Sequence, residues 1–587
     1  MKKKRTHLCS EITKKEVGQT ICLSGWVDRR RDHGGVIFID LRDRYGIIQL
    51  VFNPELAPKS LEIASTTRNE WVISIVGEVS LRSPDMINPN ILSGELEVKV
   101  REIEILSPAN PLPFSLFDEV HEDRRLQYRY LDMRKGAIKN NLQLRHKAIF
   151  AIRKFFDEKE FLEIATPILS KSTPEGARDF LVPSRIHPGQ FYALPQSPQL
   201  YKQILMMGGL DKYFQIAPCF RDEDLRADRQ LEFSQIDFEM SFATPDDLYP
   251  LVEDLMKSLF STCLQIDIET PFQKMTYDEC LEKYGTDKPD LRFGMPFSRI
   301  DDIIQKSTFS LLQQQLEYGS IAKAICVAEG ASFSRKEIDD LTSFVSKFGI
   351  PGLAWMKKTE EGFSSVIVKY FSPDLLLEIE KRLNVKNGDI VFIAVEEESK
   401  VNQALDHLRR HIAKEKKCID PNLLKFLWVV DFPLFSKIPD SPFYQTERHP
   451  FTSPRFDDMS KLDSDPLSIR ALAYDLVLNG YELGSGSQRI HNCEIQKKVF
   501  ALLDISPQEM EDRFGFFLEA LGYGTPPHIG MALGIERLVM LLAKTDNIRE
   551  VIAFPKTQKG TDLMMKTPSY VQEKQIEELH IQISEDA

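Results

Sequence analysis

The sequence has few tryptophans (4 in 587 residues) and few cysteines (8). It lacks any apolar run near the ~18 residues that a membrane-spanning helix needs, so no membrane association is expected. The cysteines stand at 9, 22, 219, 263, 280, 326, 418 and 493, and no two share a C-x-x-C spacing. That excludes a disulfide scaffold and zinc held by cysteine pairs, and it fits reduced thiols in a cytoplasmic protein. The basic start, Met1-Lys-Lys-Lys-Arg-Thr-His7, has no apolar stretch behind it, so no secretory signal is expected. There is no internal repeat. Positive charge is in deficit, with 75 Lys and Arg against 88 Asp and Glu (net −13), which argues against indiscriminate coating of nucleic acid. The deficit is not uniform: residues 1–50 carry eleven Lys/Arg against six Asp/Glu, a local basic face.

What is present is an ordinary globular composition, 42% hydrophobic and 28% charged, in a chain about four times the ~150 residues of one domain. Residues 1–110 read as all-β. Runs at 21–27, 36–41, 47–52, 71–79 and 95–105 are rich in Val, Ile and aromatics and are separated by Gly, Pro, Asn and Asp turns. Five short strands match an OB-fold barrel, a frequent oligonucleotide platform, and fit another small barrel or sandwich equally well. The Pro-rich stretch at 107–113 closes that domain and opens a linker or hinge over 111–135. Helical periodicity at 136–160 begins an α+β domain, 136–288. A segment without any cluster of chemically suggestive residues follows at 289–425. Strand- and Gly-rich texture returns over 426–555, and a polar extension fills 556–587.

Three constellations carry possible chemistry. The first is Phe220-Arg-Asp-Glu-Asp-Leu-Arg-Ala-Asp-Arg-Gln230, between strand-like runs at 213–220 and 232–242. In the second run Ile236, Phe238, Met240 and Phe242 alternate with Gln235, Asp237, Glu239 and Ser241, giving one apolar and one hydrogen-bonding face. Such a hairpin can grip a polyphosphate beside a small polar ligand, although a solvated surface hairpin has the same charge run. The second is a strand over 529–533 leading through Gly534-Ile535-Glu536-Arg537 into an apolar helix. Arg537 adds a cation to a helix N-terminus that already favours anions. The third is Asn479-Gly-Tyr-Glu482-Leu-Gly-Ser-Gly-Ser-Gln-Arg489. Strict alternation would put Glu482 and Arg489 on opposite faces, so both line one cleft only if a bulge interrupts the strand.

Residues 221–233 resemble motif 2 of the class II aminoacyl-tRNA synthetases, 534–537 motif 3, and Phe161-Leu-Glu-Ile-Ala-Thr-Pro167 motif 1. The sequence is similar over nearly its full length to bacterial-type aspartyl-tRNA synthetases, including Thr173-Pro-Glu-Gly-Ala-Arg-Asp179, Gln196-Ser-Pro-Gln-Leu-Tyr-Lys202 and Tyr284-Gly-Thr-Asp-Lys-Pro-Asp-Leu-Arg292. The resemblance implies a multidomain α+β fold: an N-terminal OB-fold barrel, an antiparallel-sheet catalytic domain, and an inserted α+β domain at 289–425. It implies aspartate activation by ATP with Mg²⁺, transfer to tRNA-Asp, and a homodimer built on motif 1. The asparaginyl and lysyl enzymes, or a silent tRNA-binding paralogue, share much of the same pattern.

By the same resemblance Arg221, Glu482 and Arg537 are catalytic. Arg221, Asp222, Glu223, Gln230 and Glu482 hold ATP, Phe233 stacks on adenine, and Gly534, Ile535, Glu536 and Arg537 complete the nucleotide site. Lys202 and Arg489 hold the substrate side-chain carboxylate, while Glu175, Ser197, Gln199 and Asp237 meet its ammonium, with Arg221 and His449 also on aspartate. Asp475 and Glu482 are the metal ligands. In the barrel Arg31, His33, Phe38 and Gln49 read the anticodon. His33 resembles the type that also charges tRNA-Asn, where a leucine marks the strict type. Two departures stand out: Arg448 takes the first position of a His-His-Pro-Phe-Thr run, and Glu536 replaces an aspartate in motif 3.

Overall fold

The computed structural model describes residues 3–172, 176–439 and 441–584. Two compact units meet at Val120/His121. The first is a closed barrel whose strands Thr20–His33, Val36–Arg42, Ile47–Phe52, Leu96–Ser107 and Val72–Leu81 follow one another around it in that order. Alternation drives it: Ile37, Ile39 and Leu41 point inward and are at most 2% exposed, as are Ile48 and Leu50 on the next strand. Helix Pro58–Thr66, which the sequence reading did not anticipate, buries Ala64 against the same core.

The second unit is built on an eight-stranded sheet. Its order is Gln273–Thr276, Phe426–Val430, Ala473–Leu478, Tyr481–Gln488, His528–Gly534, Glu232–Ser241, Lys212–Phe220 and Leu162–Glu163, antiparallel except at the two outermost pairings. One face packs against helices Gly136–Glu158, Pro245–Leu264 and Ile535–Leu542 through Phe156, Phe238, Trp428 and Leu538. At ~25 cal/mol per Å² removed from water, this apolar face dominates the stability of the sheet. On the opposite face Leu427, Val429, Ala473 and Val477 of two outer strands join a second apolar cluster, and the central strands carry polar side chains. The strand expected to reach residue 242 stops at Ser241. Phe242 turns to a φ of 56° and is 74% exposed, so it does not continue the apolar row.

The insertion forms its own five-stranded antiparallel sheet, Phe297–Arg299, Ile321–Val327, Ile390–Glu396, Ala354–Thr359 and Gly362–Ser364. Apolar clusters cover both of its faces. Buried cations seat it. Arg409 donates to the carbonyls of Asp290, Phe293 and Gly294 at 2.7–3.0 Å, and Lys323 to those of Leu281 and Glu282 at 3.1 Å.

The stretch read as a linker, 111–135, contains two short helices, Glu122–Gln127 and Arg129–Asp132. Arg129 donates to the carbonyls of Arg549 and Ile552 at 2.8 and 2.7 Å, and Arg125 pairs with Glu550 at 2.8 Å, so this part is an anchored piece of the second unit. Among the described residues, no helix is long and apolar enough to cross a membrane.

Candidate active site

The polar face of the large sheet is assembled by register. Asp237 lies opposite Gln215 on one side and Ala532 on the other, and Ser485 opposite Ala532 and Asp475. One step along, Glu239 faces Gly530, which faces Ser487. Gly530 has a steric reason: a Cβ there would sit 1.8 Å from Glu239 Oε2. The bulge that Glu482 and Arg489 require is present. Leu476 pairs with Gly484 and Val477 with Glu482, so Leu483 is the extra residue, at the leading edge of the Gly-Ser-Gly-Ser run. It brings Glu482 onto the face that carries Asp475, Ser485 and Ser487.

At the centre lies a four-charge cluster in which no member exceeds 2% exposure: Lys202, Asp237, Glu239 and Arg489. Lys202 Nζ donates to Asp237 Oδ2 at 2.7 Å and lies 3.6 Å from Glu239 Oε2. Arg489 grips Glu239 with two parallel bonds of 2.8 and 3.0 Å, and its remaining nitrogen donates to Ser487 Oγ at 2.6 Å and to His449 Nε2 at 2.8 Å. Two buried cations balanced by two buried carboxylates is the arrangement that permits burial at all. Burial pushes the Asp237 carboxyl up despite Lys202. For Glu239 the same burial is outweighed by Arg489 and Lys202, which hold its carboxyl below the usual range. Burial, then the charges of Arg489, Lys202 and Arg448, hold the His449 imidazole far below its ordinary value, so it is neutral. Asp237 Oδ1 and Gln199 Nε2 are buried without a partner, a free acceptor and a free donor at the cavity wall.

The cavity over this cluster has a volume of about 500 Å³. Lys202, Asp237, His449 and Arg489 line it, as do Ser197, Gln199 and Glu482. Its other end is formed by the charged hairpin and the start of helix Ile535–Leu542. Arg221 lies over the Phe233 ring at 5.2 Å, Glu223 accepts from Arg229 at 2.8 Å, and Arg537 donates to Asp228 at 3.1 Å and to the Glu482 carbonyl. Three of the expected positions do not line the cavity. Asp222 lies off the cavity wall, where its backbone N–H donates to the Arg178 carbonyl at 3.0 Å and its carboxylate lies 3.7 Å from the Arg178 guanidinium. Ile535 faces the apolar core and does not touch the cavity. Asp475 is 1% exposed and stands behind Arg448, which pairs with it and lines the cavity in its place. Gln230 and Glu536 reach the wall with their polar atoms engaged. Gln230 exchanges two hydrogen bonds with the Lys556 backbone (3.1 and 2.9 Å), and Glu536 accepts from Arg145 at 2.7 Å and from the Ser234 N–H at 2.9 Å. Glu175 lies outside the described residues.

The sequence reading assigned no role to Glu239, Asp228 or Arg448. The alternation of the 232–241 strand already placed Glu239 beside Asp237, and that was the signal available. For metal binding, Asp475 and Glu482 are hard oxygen donors on one face, and Asp475 Oδ1 is buried without a partner. Among the described residues no group of three or more His, Cys, Asp or Glu forms a cage, so an ion here needs oxygens from a ligand.

On the barrel, Arg31 pairs across strands with Phe38, and Asp40 with Gln49. Phe38 is half-buried and opposes the inward Ile37 and Ile39, so it belongs to the outer face and not to the core. His33 meets the Phe38 ring edge-on at 6.0 Å, and Arg31 donates to Asp40 at 2.7 Å and Gln49 at 3.4 Å. The four residues therefore share one surface.

Residues 121–558 match the family described as tRNA synthetases class II (D, K and N), and residues 21–106 an OB-fold nucleic acid binding domain. Aspartate–tRNA(Asp/Asn) ligase of Protochlamydia amoebophila is 53% identical over 99% of this chain and 97% of its own. Its namesake from Chlamydia trachomatis serovar L2 is 53% identical over 99% of this chain and 100% of its own. The fold matches asparaginyl-tRNA synthetase from Pyrococcus horikoshii complexed with asparaginyl-adenylate, with a TM-score of 0.59 at 19% identity over 94% of this chain and 98% of that one. Enzymes of this class use ATP with a divalent metal. The chain belongs to the class II tRNA synthetases (D, K and N), within the family of the aspartate–tRNA(Asp/Asn) ligases.

Proposed function

We propose that this chain activates L-aspartate with ATP and transfers it to tRNA-Asp and also to tRNA-Asn. The observation that carries the reading is the buried Lys202–Arg489 pair under the cavity, a cation fork suited to a carboxylate side chain. The substrate side chain accepts from Arg489 and Lys202, and its ammonium meets Asp237 Oδ1, the acceptor left without a partner. The aspartate α-carboxylate oxygen then attacks the α-phosphorus of ATP. A new P–O bond forms as the bond to pyrophosphate breaks, giving aspartyl-adenylate. Arg221 neutralises charge gathering on the α-phosphate, Phe233 carries the adenine, and Arg537 holds the γ-phosphate.

Asp475 and Glu482 are the side chains that would hold Mg²⁺, which supplies charge neutralisation to the phosphates. In the second step a hydroxyl of the tRNA 3′-terminal ribose attacks the acyl carbon and AMP leaves. No protein nucleophile is needed. Asparagine brings a neutral amide whose N–H₂ opposes the Lys202 and Arg489 donors, so the buried cations discriminate against it and selection requires no editing.

On the barrel, the outer-face group of Arg31, His33, Phe38 and Gln49 supports anticodon reading, with Phe38 as a stacking platform worth ~1–3 kcal/mol. The names of the close relatives, which specify both tRNA-Asp and tRNA-Asn, support relaxed tRNA choice. A homodimer is part of the proposal. Phe150, Leu162, Ile168 and Leu169, in and around motif 1, are large apolar side chains left exposed. A cytoplasmic location follows from the need for tRNA and ATP.

The test is pyrophosphate exchange into ATP with each amino acid in turn. Exchange that requires aspartate, and is not supported by asparagine or lysine, is expected. Exchange with another amino acid, or none from folded protein, refutes the reading.

A further inference from the structure

Arg448 stands where the sequence resemblance implies the first histidine of a His-His-Pro-Phe-Thr run, and its surroundings are unusual. Its guanidinium donates to Oδ2 of the buried Asp475 and lies 4.1 Å from the Phe432 ring centroid, so an aromatic face sets its plane. Arg448 Nε and Asp475 Oδ1 are both buried without a partner. Arg448 lines the cavity together with Glu482, whereas Asp475 does not. The negative charge of Glu482 acts on both members of the pair, repelling Asp475 and attracting Arg448. One tethered monovalent cation thus pairs with Asp475 in the field of Glu482 and Asp287.

We propose that Arg448 is a positioning residue that stands in for the metal at Asp475, and that the metal is admitted only when ATP arrives. The inference rests on the assignment of Asp475 and Glu482 as metal-binding residues. A free divalent ion at Asp475 meets a guanidinium already bound to Oδ2, so it either sits against that cation or displaces it and leaves it without its buried counter-charge. ATP removes this obstacle, because its phosphate oxygens offer the planar guanidinium a new bidentate partner in the same cavity. The exchange is one of partners: Arg448 passes from carboxylate to phosphate, which frees Asp475 to serve as a metal donor. Metal and ATP affinities are then coupled, and each strengthens the other by the same factor.

The experiment is a titration of Mn²⁺ alone, followed by the electron paramagnetic resonance signal of the free ion, on the full chain and its variants. Arg448→Gln is expected to bind Mn²⁺ at least tenfold more tightly than the parent without ATP, and Asp475→Asn in that background is expected to abolish the gain. Arg448→Lys, which keeps a cation beside Asp475, is expected to bind as weakly as the parent. Equal affinity in Arg448→Gln and the parent overturns the proposal. So does a gain that survives Asp475→Asn, or the same gain in Arg448→Lys. Aspartate-dependent pyrophosphate exchange by the parent is scored separately. Exchange with unchanged Mn²⁺ affinities removes only the role of Arg448, while the expected Mn²⁺ pattern without exchange removes only the proposed reaction.

Discussion

Glu239→Gln is the substitution whose consequence follows most directly from the geometry. Glu239 is fully buried, accepts two hydrogen bonds from Arg489 at 2.8 and 3.0 Å, and lies 3.6 Å from Lys202. The amide keeps the shape but presents an N–H₂ to one arm of Arg489, and the cluster goes from balanced to one excess positive charge. Removing one partner of a buried pair costs ~3–5 kcal/mol, since the remaining charge is neither solvated nor matched. With an m-value of about 3 kcal/mol per molar urea, the midpoint of the catalytic unit falls by about 1–1.7 M. The assay is urea unfolding followed by far-UV circular dichroism, with Glu494→Gln as an exposed control that leaves the midpoint in place. Saturating L-aspartate, whose side-chain carboxylate resupplies the missing charge, is expected to raise the midpoint more in Glu239→Gln than in the parent. A fall of less than about 0.3 M, well short of the buried-pair cost, refutes the view that Glu239 holds the cation fork together.

Gly530→Ala places a methyl group 1.8 Å from Glu239 Oε2 and 2.3 Å from the Phe238 carbonyl, so it is expected to disrupt the same cluster. A melting temperature and aspartate KM equal to the parent's would contradict that packing. The buried imidazoles give the pH dependence of stability one component of definite sign, opposed by the Asp475 carboxyl, which burial pushes up to about 7. The folded state holds the His449 and His528 imidazoles below their ordinary value of 6.5, so below pH 6.5 the unfolded chain takes up protons that the folded chain refuses. Their contribution therefore falls as pH drops through that value, at up to ~1.4 kcal/mol per pH unit for each imidazole. Thermal melts of the parent and His449→Gln from pH 7.5 to 5.5 check this by difference, and the parent is expected to lose stability relative to the variant as pH falls. Phe233→Ala removes the ring beside Arg221 and is expected to raise the KM for ATP roughly 5- to 150-fold, the equivalent of ~1–3 kcal/mol of stacking. An unchanged KM for ATP, measured by pyrophosphate exchange, places the adenine elsewhere.

Local pattern carried much of this architecture. The alternation of Ile236, Phe238 and Met240 with Gln235, Asp237 and Glu239 predicts both faces of the central strand, because a pleated strand has only two. The odd spacing of Glu482 and Arg489 demands a bulge, and the bulge is there at Leu483. What escaped is what depends on contacts across long separations. That Glu239 lies between Arg489 and Lys202 is set by a contact 250 residues on and by a helix more than thirty residues back, which no local window contains. Ile535 and Asp222 were assigned with their motif neighbours, yet one side chain of a helix start must face the core, and one loop residue must anchor the loop. Arg448 was visible as a departure in sequence, but its grip on Asp475 appears only when the 444–452 segment folds over the sheet. The linker reading rested on prolines. It overlooked the Arg125 and Arg129 side chains, whose partners at 549–553 fix the end of that stretch.

The central claim is that one enzyme charges two tRNAs with aspartate, and the most direct measurement is aspartylation of purified tRNA-Asp and tRNA-Asn side by side, with ATP and Mg²⁺. The account predicts that both are charged, and that His33→Leu depresses charging of tRNA-Asn more than that of tRNA-Asp. Charging of tRNA-Asp alone contradicts the role given to His33, and charging of neither by folded protein contradicts the reaction itself.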